Sequence, residues 1–221
     1  MNLENSAFKV MRSAVQLAGD FLLQHQSEAD QLVTQKDFVT QADFASERII
    51  MDHLDSFSYE HNITLYSEEF VGTLASEGLQ FILDPLDGTI NYFCQNEEFS
   101  CSLALVENGK TLVSAGNFPR LKRTAIATHQ EVALFANTLL IEKPIVSLRV
   151  SSRSDLKKCF VMTDWGKAPT GHVYNPKTIQ TLECLAKNGV QYPILRMCCT
   201  FGMLEVARGT RDAYIHTLPA P

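Results

Sequence analysis

Apolar positions recur at three- and four-residue intervals over residues 3–23. Leu3, Ala7, Val10, Met11, Ala14, Ala18, Phe21 and Leu22 share one face, with Glu4, Lys9, Arg12 and Gln16 opposite. That period predicts an amphipathic helix. The mostly polar stretch Gln24 to Gln31 ends it. Thr40-Gln41-Ala42-Asp43 then has the form of an N-terminal cap, opening a second helix through Ile49, Ile50 and Leu54.

Beyond residue 62 the pattern changes to strands. Ile63–Tyr66, Gln80–Leu83, Ser100–Val106, Thr111–Ala115, Thr124–Thr128 and Ile145–Val150 have strand lengths and flanks, and Glu107-Asn108-Gly109-Lys110 reads as a hairpin turn. The remainder alternates: Pro176–Lys187 as a helix, Tyr192–Leu195 as a strand, Phe201–Ala207 as a helix and Asp212–Ile215 as a strand. Two helices, an antiparallel strand run and a mixed remainder predict an α+β protein. The boundary falls near residues 138–145, giving an N-terminal half over 1–140 (two helices plus an antiparallel sheet) and a C-terminal α/β half over 141–221.

Composition narrows the classes. With 221 residues the chain suits one substantial domain or two that share a core. A hydrophobic fraction of 45% and a mean hydropathy of -0.05 describe an ordinary soluble protein, and no apolar run approaches the roughly 18–20 residues that span a bilayer. Glu4, Lys9, Arg12 and Asp20 exclude a secretory signal from the N-terminus. A net charge of -6 without a basic block argues against a nucleic-acid surface. The six cysteines lack C-x-x-C spacing and read as buried free thiols in a reducing compartment, so the chain is expected to be cytoplasmic, with no membrane partner.

Candidate chemistry concentrates in residues 82–92, Ile-Leu-Asp-Pro-Leu-Asp-Gly-Thr-Ile-Asn-Tyr. An apolar run delivers Asp84 to an expected strand end, since Pro85 cannot donate to a ladder. Asp87 follows three residues on, Gly88 allows close backbone approach, and Thr89 opens a short helical turn. Two carboxylates on one turn beside free amides suit a divalent cation that in turn holds a phosphate. Oxygen-only donors favour magnesium or manganese over zinc. The plain alternative is a surface turn, because Asp-Pro and Asp-Gly are common turn pairs. Glu68 and Glu69 follow Ile63–Tyr66 as Asp84 follows Phe81–Leu83, so neighbouring strands would bring acids to one sheet edge. Alternation along a strand turns one glutamate toward the aspartates, and periodicity alone leaves open which.

Ser67-Glu68-Glu69, Asp84-Pro85-Leu86-Asp87-Gly88-Thr89-Ile90-Asn91-Tyr92 and the upstream Val39-Thr40-Gln41-Ala42-Asp43 together resemble the inositol monophosphatase family, magnesium-dependent and lithium-sensitive phosphatases. Gly209-Thr210-Arg211-Asp212-Ala213-Tyr214 is similar to a later strand motif of that family, so the resemblance covers nearly the whole chain. It implies a layered α/β/α/β/α sandwich. It further implies that Glu68, Asp84, the Leu86 carbonyl and Asp87 ligate Mg2+, with Asp84 bridging two ions. Thr89 and Asp43 would orient and deprotonate the attacking water together with Glu68, and the Gly88 and Thr89 amides would face the phosphate. The expected partner is a small-molecule phosphate ester, inositol monophosphate first, with adenosine bisphosphate, fructose bisphosphate and histidinol phosphate as related choices. The resemblance also suggests a homodimer.

Departures accompany the likeness. Ser67 stands for a glycine, Cys198-Cys199 for a Gly-Ser/Thr-Ala segment lining the substrate pocket, and His216 for a glutamate against the inositol hydroxyls. The family's next motif, Trp-Asp-x-x-Ala with a further ligand aspartate, would follow Pro221 directly. The expectation is therefore a C-terminally incomplete fold: a piece of a longer phosphatase, or a catalytically weak metal-binding member with an interaction or regulatory role.

Overall fold

Helices α1 (Leu3–His25) and α2 (Gln41–His61) precede a sheet of seven strands. The computed structural model describes residues 3–28, 41–69, 72–129, 132–137, 144–164, 175–190 and 192–217. The proposed helix cap at Thr40 lies outside them. Contacts divide the chain into two units, Met1–Ser147 and Leu148–Pro221. Among the described residues, no helix is long and apolar enough to cross a membrane.

The first sheet runs in chain order: β1 (Thr64–Ser67), β2 (Leu79–Asp87), β3 (Ser100–Glu107), β4 (Lys110–Phe118), β5 (Arg123–Thr128), β6 (Val132–Ala136) and β7 (Val146–Ser147). The expected antiparallel pairing holds from β2 to β7, whereas β1 and β2 are parallel, with Ser67 opposite Leu83. The hairpin between β3 and β4 turns on Asn108 and Gly109, whose φ of 49° and 78° match the left-handed pair that a two-residue turn requires. Two expectations change here. β6, an apolar run without alternation, carries no period-two signal and went unread. In Ile145–Val150 only Val146 and Ser147 form a strand, an exposed edge paired with β6.

The third change concerns Pro85, which does not end its strand. β2 continues to Asp87, and its partners jump from Asp84–Ser102 to Asp87–Ser100. Pro85 and Leu86 therefore occupy a bulge, where the ladder is already interrupted and a missing N–H costs nothing. After the bulge, Gly88 at φ 85° reverses the chain into the short helix α3 (Thr89–Phe93). Helix α3 is anchored from several sides. The Tyr92 hydroxyl donates to Leu22 O at 3.0 Å, Asn91 Nδ2 to Glu98 O at 2.7 Å, and Gln26 Nε2 to Tyr92 O at 3.3 Å and to Asn96 O, just beyond the helix, at 2.8 Å. Arg120 Nε in turn donates to Gln26 Oε1 at 2.9 Å.

Helix α1 seats this sheet. Ala7, Met11, Ala14, Val15, Ala18 and Leu22 are completely buried against a core that includes Phe81, Leu83, Leu103, Leu105, Val113 and Phe135. Each larger aliphatic buried in this way contributes about 1.5–3 kcal/mol. The approach to β4 is so close that a Cβ on Gly19 would lie 1.9 Å from Asn117 Oδ1.

The second unit carries β8 (Val161–Asp164), α4 (Pro176–Lys187), β9 (Ile194–Arg196), α5 (Cys199–Ala207) and β10 (Ala213–Ile215). Its strands form an all-parallel sheet in the order β10-β8-β9. β8, buried at all four positions, was not anticipated. Helix α4 has the expected bounds: Asn175 accepts from Lys177 N at 3.0 Å, and Pro176 fills the first turn, where no N–H is needed. Val161, Leu185 and Val190 make its small core. Asp212 accepts from Arg153 Nε at 2.8 Å, from Phe160 N at 2.6 Å and from the Ser151 hydroxyl. Burial works against its charge, but the bonds from Arg153, Ser151 and Phe160 outweigh it and hold the carboxyl below its ordinary value.

Two stability outcomes are expected. Gly19→Ala forces Asn117 out of its bonds to Thr124 (2.9 Å) and Asn137 (3.0 Å). Such overpacking costs about 1–3 kcal/mol, which thermal melts read as roughly 2–4 °C of Tm per kcal/mol. A depressed carboxylate stabilises the fold above its unfolded pKa and loses that contribution as pH falls through the folded value. Asp212→Asn therefore lowers Tm at neutral pH, and the gap to the parent closes on acidification below about pH 4.

Candidate functional site

Parallel pairing of β1 and β2 places their C-terminal ends side by side. Glu68 N donates to Leu83 O at 3.2 Å, which extends the pairing by one residue and sets Glu68 beside Asp84. Within the bulge, Leu86 N donates to Asp84 Oδ1 at 3.1 Å and fixes that carboxylate on its own turn. The Thr89 hydroxyl lies 3.0 Å from Leu86 O and 3.3 Å from Asp43 Oδ1. Having one proton, it serves one of these acceptors at a time.

Helix α2 supplies the far wall. Its buried stripe comprises Asp43, Ser46, Glu47, Ile50 and Leu54 at helical spacing, polar in the first half and apolar in the second. Ser46 Oγ donates to Pro85 O at 2.7 Å and ties the bulge to the helix. Ser46 and Glu47 were not singled out from the sequence. The signal was nevertheless present, because both continue the stripe of Ile50 and Leu54 at intervals of three and four residues.

These positions gather negative charge. Burial, then the charges of Asp87 and Glu68, push the half-buried Asp84 carboxyl well above its ordinary value. Glu68 is exposed as a residue, yet loss of water around its carboxyl and then the Asp87 charge also push it up. Burial, followed by Asp43, Glu68 and Glu47, pushes Glu69 up to about 7. The two glutamates share the charge of Asp43, but Asp87 acts on Glu68 and Glu47 on Glu69. Oxygen donors drawn together against their own repulsion are the set a hard divalent cation fits. The structure thus brings Asp43, Glu68, Asp84, Leu86, Asp87 and Thr89 together, with Gly88 at the turn into α3.

Residues 2–219 match the inositol monophosphatase family as a whole. The chain belongs to that family. This inositol monophosphatase family member is 32% identical over 144 residues to the fructose-1,6-bisphosphatase/inositol-1-monophosphatase of Thermotoga maritima, covering 64% of this chain and 52% of that protein. It therefore spans about half the length of that relative. It is 27% identical over 218 residues to the Nus factor SuhB of Xylella fastidiosa, covering 96% of this chain and 74% of that one. Among solved structures, the extragenic suppressor protein suhB of Bartonella henselae superposes with a TM-score of 0.79 at 25% identity, covering 96% of this chain and 78% of that chain. The fold is accordingly the α+β inositol monophosphatase fold, a mixed sheet flanked by helices.

Crowded carboxylates carry a stability consequence. An acid whose folded pKa is raised destabilises the fold above its unfolded pKa, and this cost fades as pH falls toward that value. In the metal-free family member, Asp84→Asn therefore raises Tm at neutral pH, by roughly 2–4 °C for each kcal/mol of repulsion relieved. Melts in chelator check this, and the gain should vanish near pH 4.

Proposed function

We propose that this chain is a magnesium-dependent phosphomonoesterase that hydrolyses a small phosphorylated alcohol or sugar, inositol monophosphate first among them. The observation that supports it most is the meeting of Glu68, Asp84 and Asp87 with the Thr89–Asp43 pair beside the turn at Gly88. Glu68, Asp84, the Leu86 carbonyl and Asp87 would hold Mg2+. Bound there, the cation supplies Lewis acidity and a water of lowered pKa. The protein's own part follows from its hydrogen bonds. When the Thr89 hydroxyl donates to Asp43, its lone pairs are left to accept from the attacking water, and Asp43 stands behind as acceptor of charge. The amides of Gly88 and Thr89 would position the phosphate oxygens. Water attacks phosphorus directly, without a phosphoenzyme.

The name of the Thermotoga relative supports inositol monophosphate or fructose bisphosphate as the ester. Adenosine bisphosphate and histidinol phosphate remain related choices. A second reading, an interaction or regulatory role with weak catalysis, is favoured by relatives named Nus factor SuhB.

Phosphate release from inositol monophosphate under magnesium titration tests both. Asp84→Asn should lower turnover by about two orders of magnitude or more with the fold retained, since one of the carboxylates that would hold Mg2+ loses its charge. Glu68→Gln should raise the magnesium requirement and cut turnover, and Glu69→Gln should do much less. Near-normal turnover in Asp84→Asn at saturating magnesium overturns the metal assignment. Absence of phosphate release from all four esters by the parent chain favours the regulatory role.

A further inference from the structure

In the second unit three elements converge on one cluster of side chains. β8 and β10 are parallel neighbours, so their carboxyl ends share one sheet edge, and helix α5 starts at that edge after β9. Asp164 ends β8, His216 follows β10, and Cys199 opens α5. A carboxylate oxygen, a thiol sulfur and an imidazole nitrogen from these residues all lie within 4.8 Å of one another. His216 Nδ1 is 3.7 Å from Cys199 Sγ and in direct contact with Asp164 Oδ2.

A nucleophilic Cys–His–Asp relay requires the imidazole to bridge, with one ring nitrogen on the thiol and the other on the carboxylate. Here both contacts fall on Nδ1, so the donors converge on a point and form no chain. We propose that Asp164, Cys199 and His216 form a zinc-class transition-metal site. A tetrahedral ion with metal–sulfur and metal–nitrogen bonds of about 2.3 and 2.0–2.1 Å separates those two ligands by roughly 3.6 Å, and the S···N distance found is 3.7 Å; His216 Nδ1 and Asp164 Oδ2 are in direct contact, so the exposed imidazole turns away from the carboxylate to admit the ion.

Asp164 is held from one side. Thr217 N is shared between its Oδ1 at 3.1 Å and its Oδ2 at 3.2 Å, and the Thr217 hydroxyl donates to Oδ1. Oδ2 is the oxygen turned to His216, with the Tyr214 hydroxyl at 3.5 Å. Outer hydrogen bonds of this kind orient a metal-binding carboxylate. His216 is exposed and also lines a pocket of about 370 Å³ with Lys177, Gln180 and Thr181. Water or a small anion completes the fourth coordination position. Binding releases the thiol proton, and the neutral imidazole that ligates through Nδ1 keeps its one proton on Nε2. Sulfur and imidazole set this site apart from the all-oxygen cluster at Asp84, so the two take different metals. Cys199 and His216 are also two of the positions where the chain departs from its family's motifs.

The test uses the whole chain in excess Mg2+, titrated with Co2+ as a spectroscopic probe and then with Zn2+. One Co2+ should bind with a thiolate-to-cobalt charge-transfer band and leave on addition of one equivalent of Zn2+. Cys199→Ser should abolish the band, and His216→Ala should weaken Zn2+ at least tenfold. Asp84→Asn and Cys184→Ser, the latter removing the thiol that lines the pocket, should leave both readings unchanged. In the parent chain Zn2+ should protect Cys199 from alkylation as read by mass spectrometry, a measurement that needs no variant to fold. Absence of a sulfur band, its persistence in Cys199→Ser, its loss in Cys184→Ser, or undiminished alkylation each overturns the site.

Discussion

Acidic groups crowded at one sheet edge repel one another, and much of the architecture of residues 1–147 serves to keep them there. Parallel pairing of β1 with β2 sets Glu68 beside Asp84. Ser46 holds the bulge at Pro85 against α2, while Gln26, Tyr92 and Asn91 hold the helix that follows. The close seating of α1 on β4 stiffens the sheet beneath them. Without those restraints the side chains would move apart into water, and the set of donors would dissolve.

The bulge is the device on which this depends. A regular strand would alternate Asp84, Pro85, Leu86 and Asp87 between opposite faces, so the two aspartates would point apart. The irregularity in pairing between them removes that constraint. A proline there forfeits no ladder bond and restricts φ, so the residue that breaks the strand pattern also fixes the turn.

Local signals were legible in the sequence where they were complete within a few residues. The stripe of α1, the Asn108–Gly109 hairpin and the Asn175-Pro176 start of α4 each state their own structure, and Asp84, Asp87 and Thr89 stand on a single turn. What escaped depends on distant partners. Continuation of β2 past Pro85 rests on Ser100 and Ser102 of β3, and the strand character of Val161–Asp164 rests on burial between β9 and β10. Cys199 and His216, 17 positions apart in the chain, were legible only as departures from family motifs and not as partners of each other. Only parallel packing makes them neighbours of Asp164.

The single proton of Thr89 has an effect beyond positioning. Leu86 O and Asp43 Oδ1 compete for it from 3.0 and 3.3 Å. Whatever engages the Leu86 carbonyl withdraws one competitor and turns the hydroxyl toward Asp43, and whatever protonates Asp43 turns it back. The threonine thus reads two neighbours at once, and its orientation is conditional logic written in one hydrogen atom.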